Sequence, residues 1–300
     1  MPWKGSFMMV ISRVSRLPSQ MLLRLQAVYD SLKRAERAAA DLLMEDPEFI
    51  ANSSIAAAAQ SIHVSQPTFV RLAKRLGYSG FSEMKEVLQA SLSEAPAAPG
   101  IPYESIGSES QPFDIAQSIV YASIQALNDL LQVMNSTDYE RAANALVHAE
   151  RIVFLGAGDS GIVASFAYQK FLHMGVICHT ASDLDTQIIL ASLLNERCVC
   201  VLISHSGDTS SIVQSAKLAK AAGATTIAIT NFPYSHLARV CDIVLLTATF
   251  VERGGEIVTQ RISQMAVIES LFIIYRMRSD STLNAAYDRV SQVLQDTTKL

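Results

Sequence analysis

The apolar positions of this chain change period partway along it. Up to about residue 91 they recur at helical spacing, giving an amphipathic stretch over 21–45 and shorter helical pieces over 54–60, 65–76 and 81–91. Two more helical stretches follow, over 114–134 and 137–149. The rhythm then shifts to short runs rich in branched residues: IVFLG (152–156), VICHT (176–180), CVCVLIS (198–204), TTIAIT (225–230) and CDIVLLT (241–247). Helical segments separate most of these runs. Strands apolar on both faces, alternating with helices, predict a parallel sheet covered on both sides. Helices over 260–278 and 281–297 close the chain. The pattern as a whole predicts an all-α head followed by an α/β body with a five-stranded parallel sheet flanked by helices.

Residues 91–112, SLSEAPAAPGIPYESIGSESQP, carry four prolines and two glycines with little periodicity, which is linker composition. The expected division is a head over 15–92, a linker over 93–112 and a body over 113–300. Charge follows the same division. Residues 1–90 hold 11 Lys+Arg against 8 Asp+Glu, and residues 91–300 hold 13 against 20, so a head of net +3 precedes a body of net −7. That excludes a chain that is basic throughout and leaves a local nucleic-acid surface open.

Cys178, Cys198, Cys200 and Cys241 sit in apolar, strand-like contexts without the C-x2-C spacing of a zinc site. They read as buried free thiols of a reducing compartment. No run reaches the ~18–20 apolar residues of a membrane span, and the N-terminal apolar core, followed by Arg13 and Arg16, is too short for a signal peptide. Met8, Met9 and Met21 remain alternative starts. The expected compartment is the cytoplasm.

Within the head, SSIAAAAQSIHVSQPTFVRLAKRLG (53–77) has a specific grammar. Ser54 caps a short helix, Ser61–Val64 make a tight turn without glycine, and Ser65 caps a second helix with Pro67 in its first turn. Val70, Ala73 and Leu76 are expected to form the buried stripe, leaving Gln66, Thr68, Arg71, Lys74 and Arg75 outside. This is the helix-turn-helix layout, although a small bundle with a solvated basic face would share most of it. Ser65, Gln66, Thr68 and Arg71 are the candidates for base edges, and Lys74 and Arg75 for phosphates.

Within the body, GAGDSG (156–161) and SHSGDTSS (204–211) each follow a strand and open a helix. Glycines, freed N–H groups and hydroxyls there suit an anion cradle. Gly156, Gly158 and Gly161 also satisfy G-x-G-x-x-G, with Asp183 and Asp185 downstream, so a dinucleotide reading stays open, though it leaves the serine-rich loop without a role.

The run SQPTFVRLAKRLGYSGFSEMK (65–85) resembles the N-terminal domain of RpiR-type transcriptional regulators: Ser65, Thr68, Arg71, Leu76, Gly77, Tyr78, Gly80, Phe81 and Lys85 fit its pattern. That family begins with a helix like 27–50 packed beneath the reading helix. AAAAQSIHV (56–64) departs from it, lacking the usual leucine of the first helix. The two loops of the body resemble those of the sugar isomerase (SIS) domain, a phosphosugar-binding fold: Gly156, Gly158 and Ser160 fit G-x-G-x-S, and Ser204, Ser206, Gly207 and Thr209 fit S-x-S-G-x-T. The resemblance covers about 114–280. It implies that Ser160, Ser204, Ser206 and Thr209 hold a phosphate, with backbone N–H groups of 205–209 assisting. From the residues themselves, Gly158 and Gly207 are expected to allow close backbone approach, His205 to line the pocket, and Glu256, after Gly254 and Gly255, to reach the ligand. Asp159 departs from the hydroxyl residue common in the isomerases, and as a carboxylate near a phosphate it is expected to point away or cap its own helix.

RpiR-type regulators join these two domains in this order. The resemblance therefore implies a DNA-binding regulator whose body senses a sugar phosphate, with no catalytic residue, cofactor or metal site. Its implied partners are palindromic operator DNA and further copies of the chain, as a homodimer or homotetramer, with no membrane. The alternative is an SIS enzyme, for which Glu256 with His205 or His236 are the acid–base candidates. Arg261 is left between the ligand and a neighbouring subunit.

Overall fold

The computed structural model describes residues 17–29, 31–94, 107, 109–247 and 258–297. Most of the 93–112 linker and Glu256 lie outside the described residues. The chain divides into two compact units, one holding the helices up to residue 132 and the other holding 133–247 with 260–300.

The first unit starts with α1 (Ser19–Tyr29), α2 (Arg34–Glu45) and α3 (Pro47–Asn52). The single helix expected over 21–45 is therefore two. Extended Lys33 starts α2, and Glu36 folds back to accept its N–H at 3.3 Å. The break lets Met21, Leu22 and Leu25 bury on one axis and Ala39, Ala40, Leu43 and Met44 on another. Asp46 accepts the Phe49 N–H at 2.9 Å and Pro47 opens α3, a short helix that the apolar pattern did not predict.

Then come α4 (Ile55–Ser61), α5 (Gln66–Arg75) and α6 (Phe81–Glu94). Ser54 caps α4 through the Ala57 N–H. The α4–α5 turn places His63 at φ 54°, where an L residue is strained and glycine is not. His63→Gly should therefore raise the urea midpoint of the head by an amount equivalent to about 0.5–1 kcal/mol, the strain relief exceeding glycine's entropic cost.

The buried face of α5 is Thr68, Phe69, Leu72 and Ala73, continued by Leu76. Of the expected stripe, Ala73 and Leu76 are buried, whereas Val70 is half-buried: Phe69, which packs edge-on against Phe81 at 5.7 Å, takes the core in its place.

After α7 (Pro112–Val133), the second unit opens with α8 (Ser136–Val147) and runs β1 (Arg151–Gly156), α9 (Asp159–His173), β2 (Cys178–Thr180), α10 (Leu184–Ser192), β3 (Cys198–Ile203), α11 (Ser210–Ala221), β4 (Thr225–Thr230), α12 (His236–Val240), β5 (Ile243–Leu246), α13 (Val258–Arg278) and α14 (Ser281–Thr297). The five strands form one parallel sheet in the order β2-β1-β3-β4-β5. Both faces are covered. Val153, Cys200, Leu202 and Ala228 pack with Ala191, Ile212, Ala216 and Leu237 of α10–α12. On the opposite face, Phe154 meets Phe171 of α9, which meets Phe272 and Tyr275 of α13.

All four cysteines are buried free thiols. Burial pushes the Cys178 thiol up to about 11 and Cys241 to about 12, so neither is a thiolate at neutral pH.

Candidate functional site

The strand order creates the site. The chain leaves β1 toward β2 on one side and leaves β3 toward β4 on the other, so connections diverge between the adjacent strands β1 and β3. Ligands of open α/β sheets bind at such a switch point, beyond the carboxyl ends of the strands. Gly156 is the register partner of Ile203, which sets the loop before α9 beside the loop before α11.

The second loop is tied by its own polar groups and by β4. Ser204 is buried; its N–H donates to Ile229 O at 3.1 Å, and its Oγ accepts the Gly207 N–H at 3.1 Å and meets Thr209 Oγ1 at 3.2 Å. Ser206 Oγ accepts the Asp208 N–H at 3.2 Å. The N–H groups of Gly207 and Asp208, expected to help hold a phosphate, thus already donate within the loop. His205 O accepts from Thr230 Oγ1 and the Asn231 N–H, and the His205 ring stands edge-on to Phe232 at 5.8 Å. Asp208 Oδ1 accepts the His236 N–H at 3.1 Å and lies 2.8 Å from its ring Nδ1, which occupies His236, one of the acid–base candidates.

Gly207 takes φ +64°, and a Cβ there would fall 2.1 Å from Ser235 Oγ and 2.8 Å from Thr230 Oγ1. In the first loop a Cβ on Gly156 would meet Ser160 O at 2.4 Å, so the turn into α9 closes directly on the strand end. Gly158, at φ 57°, is the N-cap of α9, and Ser160 is buried in its first turn.

The helix starts separate these two loops from their neighbours. Asn135, Asp183 and Ser235 cap α8, α10 and α12 by accepting first-turn N–H groups. Gly158 and Thr209 make no such side-chain bond, so α9 and α11 begin without a side-chain acceptor on their positive ends, side by side at the switch point. That arrangement is suited to an anion. Asp183, the nearer acid of the dinucleotide reading, is committed to its cap, and the Thr186 amide holds its carboxyl below the usual range.

Asp159 pairs with Arg261 of α13 at 3.0 Å. Several buried polar side chains of this unit escaped the sequence reading. Gln187 Nε2 donates to Gly156 O at 2.8 Å and Ala181 O at 2.9 Å, fixing the first loop from α10. Asn231 and Thr247 follow β4 and β5, and Gln264 lies in α13; all are 1% exposed or less. Their one signal was a polar residue interrupting an apolar pattern.

In the first unit, Gln66, Lys74 and Arg75 are exposed as expected on α5, with Ser65 at its N-cap and Arg71 at 55% side-chain exposure. Thr68 is not outside. It is 1% exposed, and its Oγ1 meets Ser65 Oγ at 3.0 Å and accepts from Arg71 at 3.3 Å, because it lies one helical turn before Leu72 on the packed side. Ser65 consequently makes no side-chain cap bond to α5. Buried Glu36 of α2 receives Arg71 Nε at 3.3 Å and Arg75 Nε at 3.4 Å. The two arginines are held in place from below, a tie absent from the sequence reading. Among the described residues no cluster of three or more His, Cys, Asp or Glu could hold a metal ion, and no helix is long and apolar enough to cross a membrane.

Comparison with known proteins agrees with this geometry. The model of the rpiR-family helix-turn-helix domain matches residues 19–95, and that of the SIS domain matches 145–274. An uncharacterised HTH-type transcriptional regulator of Thermotoga maritima is 31% identical over 86% of this chain and 92% of its own length. HTH-type transcriptional regulator HexR of Pseudomonas aeruginosa is 30% identical, over 84% and 87% respectively. A bifunctional protein glk of Burkholderia thailandensis is also 30% identical, but the match spans only 42% of it. Among solved structures, NanR of Vibrio vulnificus in complex with ManNAc-6P shares the fold with a TM-score of 0.53 at 20% identity, over 93% of this chain and 97% of that one. With both domain models matched in order, and a regulator 31% identical along nearly its whole length, the chain belongs to the rpiR family of helix-turn-helix transcriptional regulators, built on an SIS domain.

Proposed function

We propose that the SIS unit of this regulator binds a sugar phosphate in the cradle between β1 and β3, and that binding changes the affinity of the helix-turn-helix head for its operator. The observation that carries this is the pair of adjacent helix starts without side-chain caps, bordered by Ser160, Ser204, Ser206 and Thr209. NanR, a protein of the same fold, was solved with an N-acetylated amino-sugar phosphate, which supports the ligand class. Hexose, N-acetylated amino-sugar and ketosugar-acid phosphates form the panel to test.

The chain acts in the cytoplasm by binding rather than turnover, as a homodimer or homotetramer on a palindromic operator. The regulator names of its relatives and the engagement of His236 by Asp208 support a binding role. Ligand and operator affinities are then linked through one equilibrium between arrangements of paired heads, and each alters the other by the same factor.

Binding-site selection from random duplex DNA, repeated with each phosphosugar, tests the reading. Enrichment of a palindrome that one phosphosugar strengthens or weakens is the expected result; a folded protein enriching nothing under any condition would overturn it. Arg71→Ala should lower specific operator affinity about tenfold, one lost base contact, while calorimetry finds phosphosugar binding unchanged.

A further inference from the structure

The turn between α1 and α2 is fastened to the rest of the head. The Ser31 N–H donates to Val28 O at 2.9 Å, the Leu32 N–H donates to Tyr29 O at 3.1 Å, and Leu32 is buried. Ser31 Oγ donates to Val28 O at 2.7 Å and accepts from Arg75 Nη1, on the reading helix α5, at 3.1 Å. Glu36 draws the two segments closer. Its Oε2 accepts the Lys33 N–H at 3.3 Å and lies 3.4 Å from Arg75 Nε, while its Oε1 receives Arg71 Nε at 3.3 Å. Lys33 and Arg75, far apart in the chain, therefore meet at one oxygen atom.

The result is a group of cations with a single anion beneath it. Lys33 and Arg34 stand at the start of α2, and Arg71, Lys74 and Arg75 lie on α5. All belong to the first unit. Glu36 is the one acid among residues 31–40 and 66–75. Its side chain is 4% exposed and already committed to Arg71 and Arg75. Lys33, Arg34 and Lys74 are exposed, and none of them has an acidic partner among the described residues. Like charges held this close on a fixed turn repel one another, and an anion laid across them relieves that repulsion. The backbone of duplex DNA offers such an anion, with one charge per about 1.7 Å of axis.

We propose that Lys33 and Arg34 are a second phosphate contact of the head, gripping the DNA strand that borders the groove α5 enters. This rests on the DNA-binding role of α5 and extends it to a turn outside the helix-turn-helix segment. A duplex seated on Arg71, Lys74 and Arg75 comes within reach of Lys33, because Lys33 and Arg75 share the Glu36 carboxylate. The contact fixes the position of the head on the duplex and reads no base.

The test titrates the full chain with the duplex enriched by selection and with a scramble of it, over a salt series. In Lys33→Ala/Arg34→Ala the slope of log affinity against log salt should fall by about 1.8, the value of two lost phosphate contacts. At physiological salt that slope change corresponds to a loss of about thirtyfold, equal on both duplexes, so the ratio between them should hold. The melting temperature should be retained, and the charge-conserving Lys33→Arg/Arg34→Lys should keep the wild-type slope. Ethylation interference gives a readout that overall charge cannot imitate. At least one phosphate whose ethylation weakens the wild type should become indifferent in the alanine variant. A folded wild type that enriches no duplex would overturn both this contact and the DNA-binding reading. A wild type that binds its operator, with an alanine variant of unchanged slope or unchanged ethylation pattern, overturns the α2 contact alone.

Discussion

Gly207→Ala should cost the SIS unit about 2–4 kcal/mol of stability and abolish its response to any phosphosugar at accessible concentrations. The left-handed backbone alone costs an L residue about 1–2 kcal/mol. The new Cβ would also overlap Ser235 Oγ, which cannot step aside freely. That hydroxyl donates to Phe232 O at 2.8 Å and accepts the Ala238 N–H at 3.3 Å, so displacing it removes the cap of α12, worth about another 1 kcal/mol. Calorimetric titration with the effector and a urea denaturation curve measure the two losses together.

Ser204→Ala separates them. It removes the hydroxyl facing Thr209 and one acceptor of the Gly207 N–H, but the Ser204 carbonyl still accepts that N–H at 3.1 Å. Stability should fall by only about 1 kcal/mol, while phosphosugar affinity drops at least tenfold and DNA binding without effector stays as in the wild type. Unchanged effector affinity in Ser204→Ala would remove the serine loop from the binding site.

Glu36→Gln should lower the ratio of specific to non-specific DNA affinity about thirtyfold, a loss of about 2 kcal/mol. Its carboxylate is 4% exposed and receives both Arg71 and Arg75, so one substitution loosens two guanidinium groups. The loss is one of position, since the arginines remain and their cations are still available to phosphates. Removing a negative charge beneath the reading helix also favours non-specific binding slightly. The salt dependence of binding should thus keep its slope, which reports the number of phosphates neutralised. Both arginines are substantially exposed and can return to water, so the fold should lose little. Affinity measured on operator and scrambled duplex over a salt series decides the matter: a parallel fall on both duplexes with a lowered melting temperature would make Glu36 purely structural.

The alternation of strand and helix, the five strand positions, the helix-turn-helix segment and the two glycine–hydroxyl loops were all legible in the chain. Each is a short-range signal: a period of apolar residues, a cap such as Ser54, a turn composition after an apolar run. The ends of α5, α8 and α14 were legible to within about two residues, whereas the short α3 was not read from the pattern at all. The split between α1 and α2 has no glycine or proline to mark it and follows from burying two faces on different axes.

What depended on distant residues was not legible. Thr68 belongs to the polar face by composition, but the core selected Phe69 over Val70 and carried Thr68 inward with it. Glu36 and Arg71 are 35 residues apart, and no local pattern pairs them. The same holds for Arg261 with Asp159 and for Gln187 beneath Gly156. The sequence by itself determined the alternation of strand and helix and which loops carry glycines and hydroxyls at helix starts, because those properties are set within a few residues of backbone and side chain. The tertiary structure alone decided that β1 lies beside β3, bringing Gly158–Ser160 next to Ser204–Thr209, because strand order depends on contacts between segments far apart in the chain.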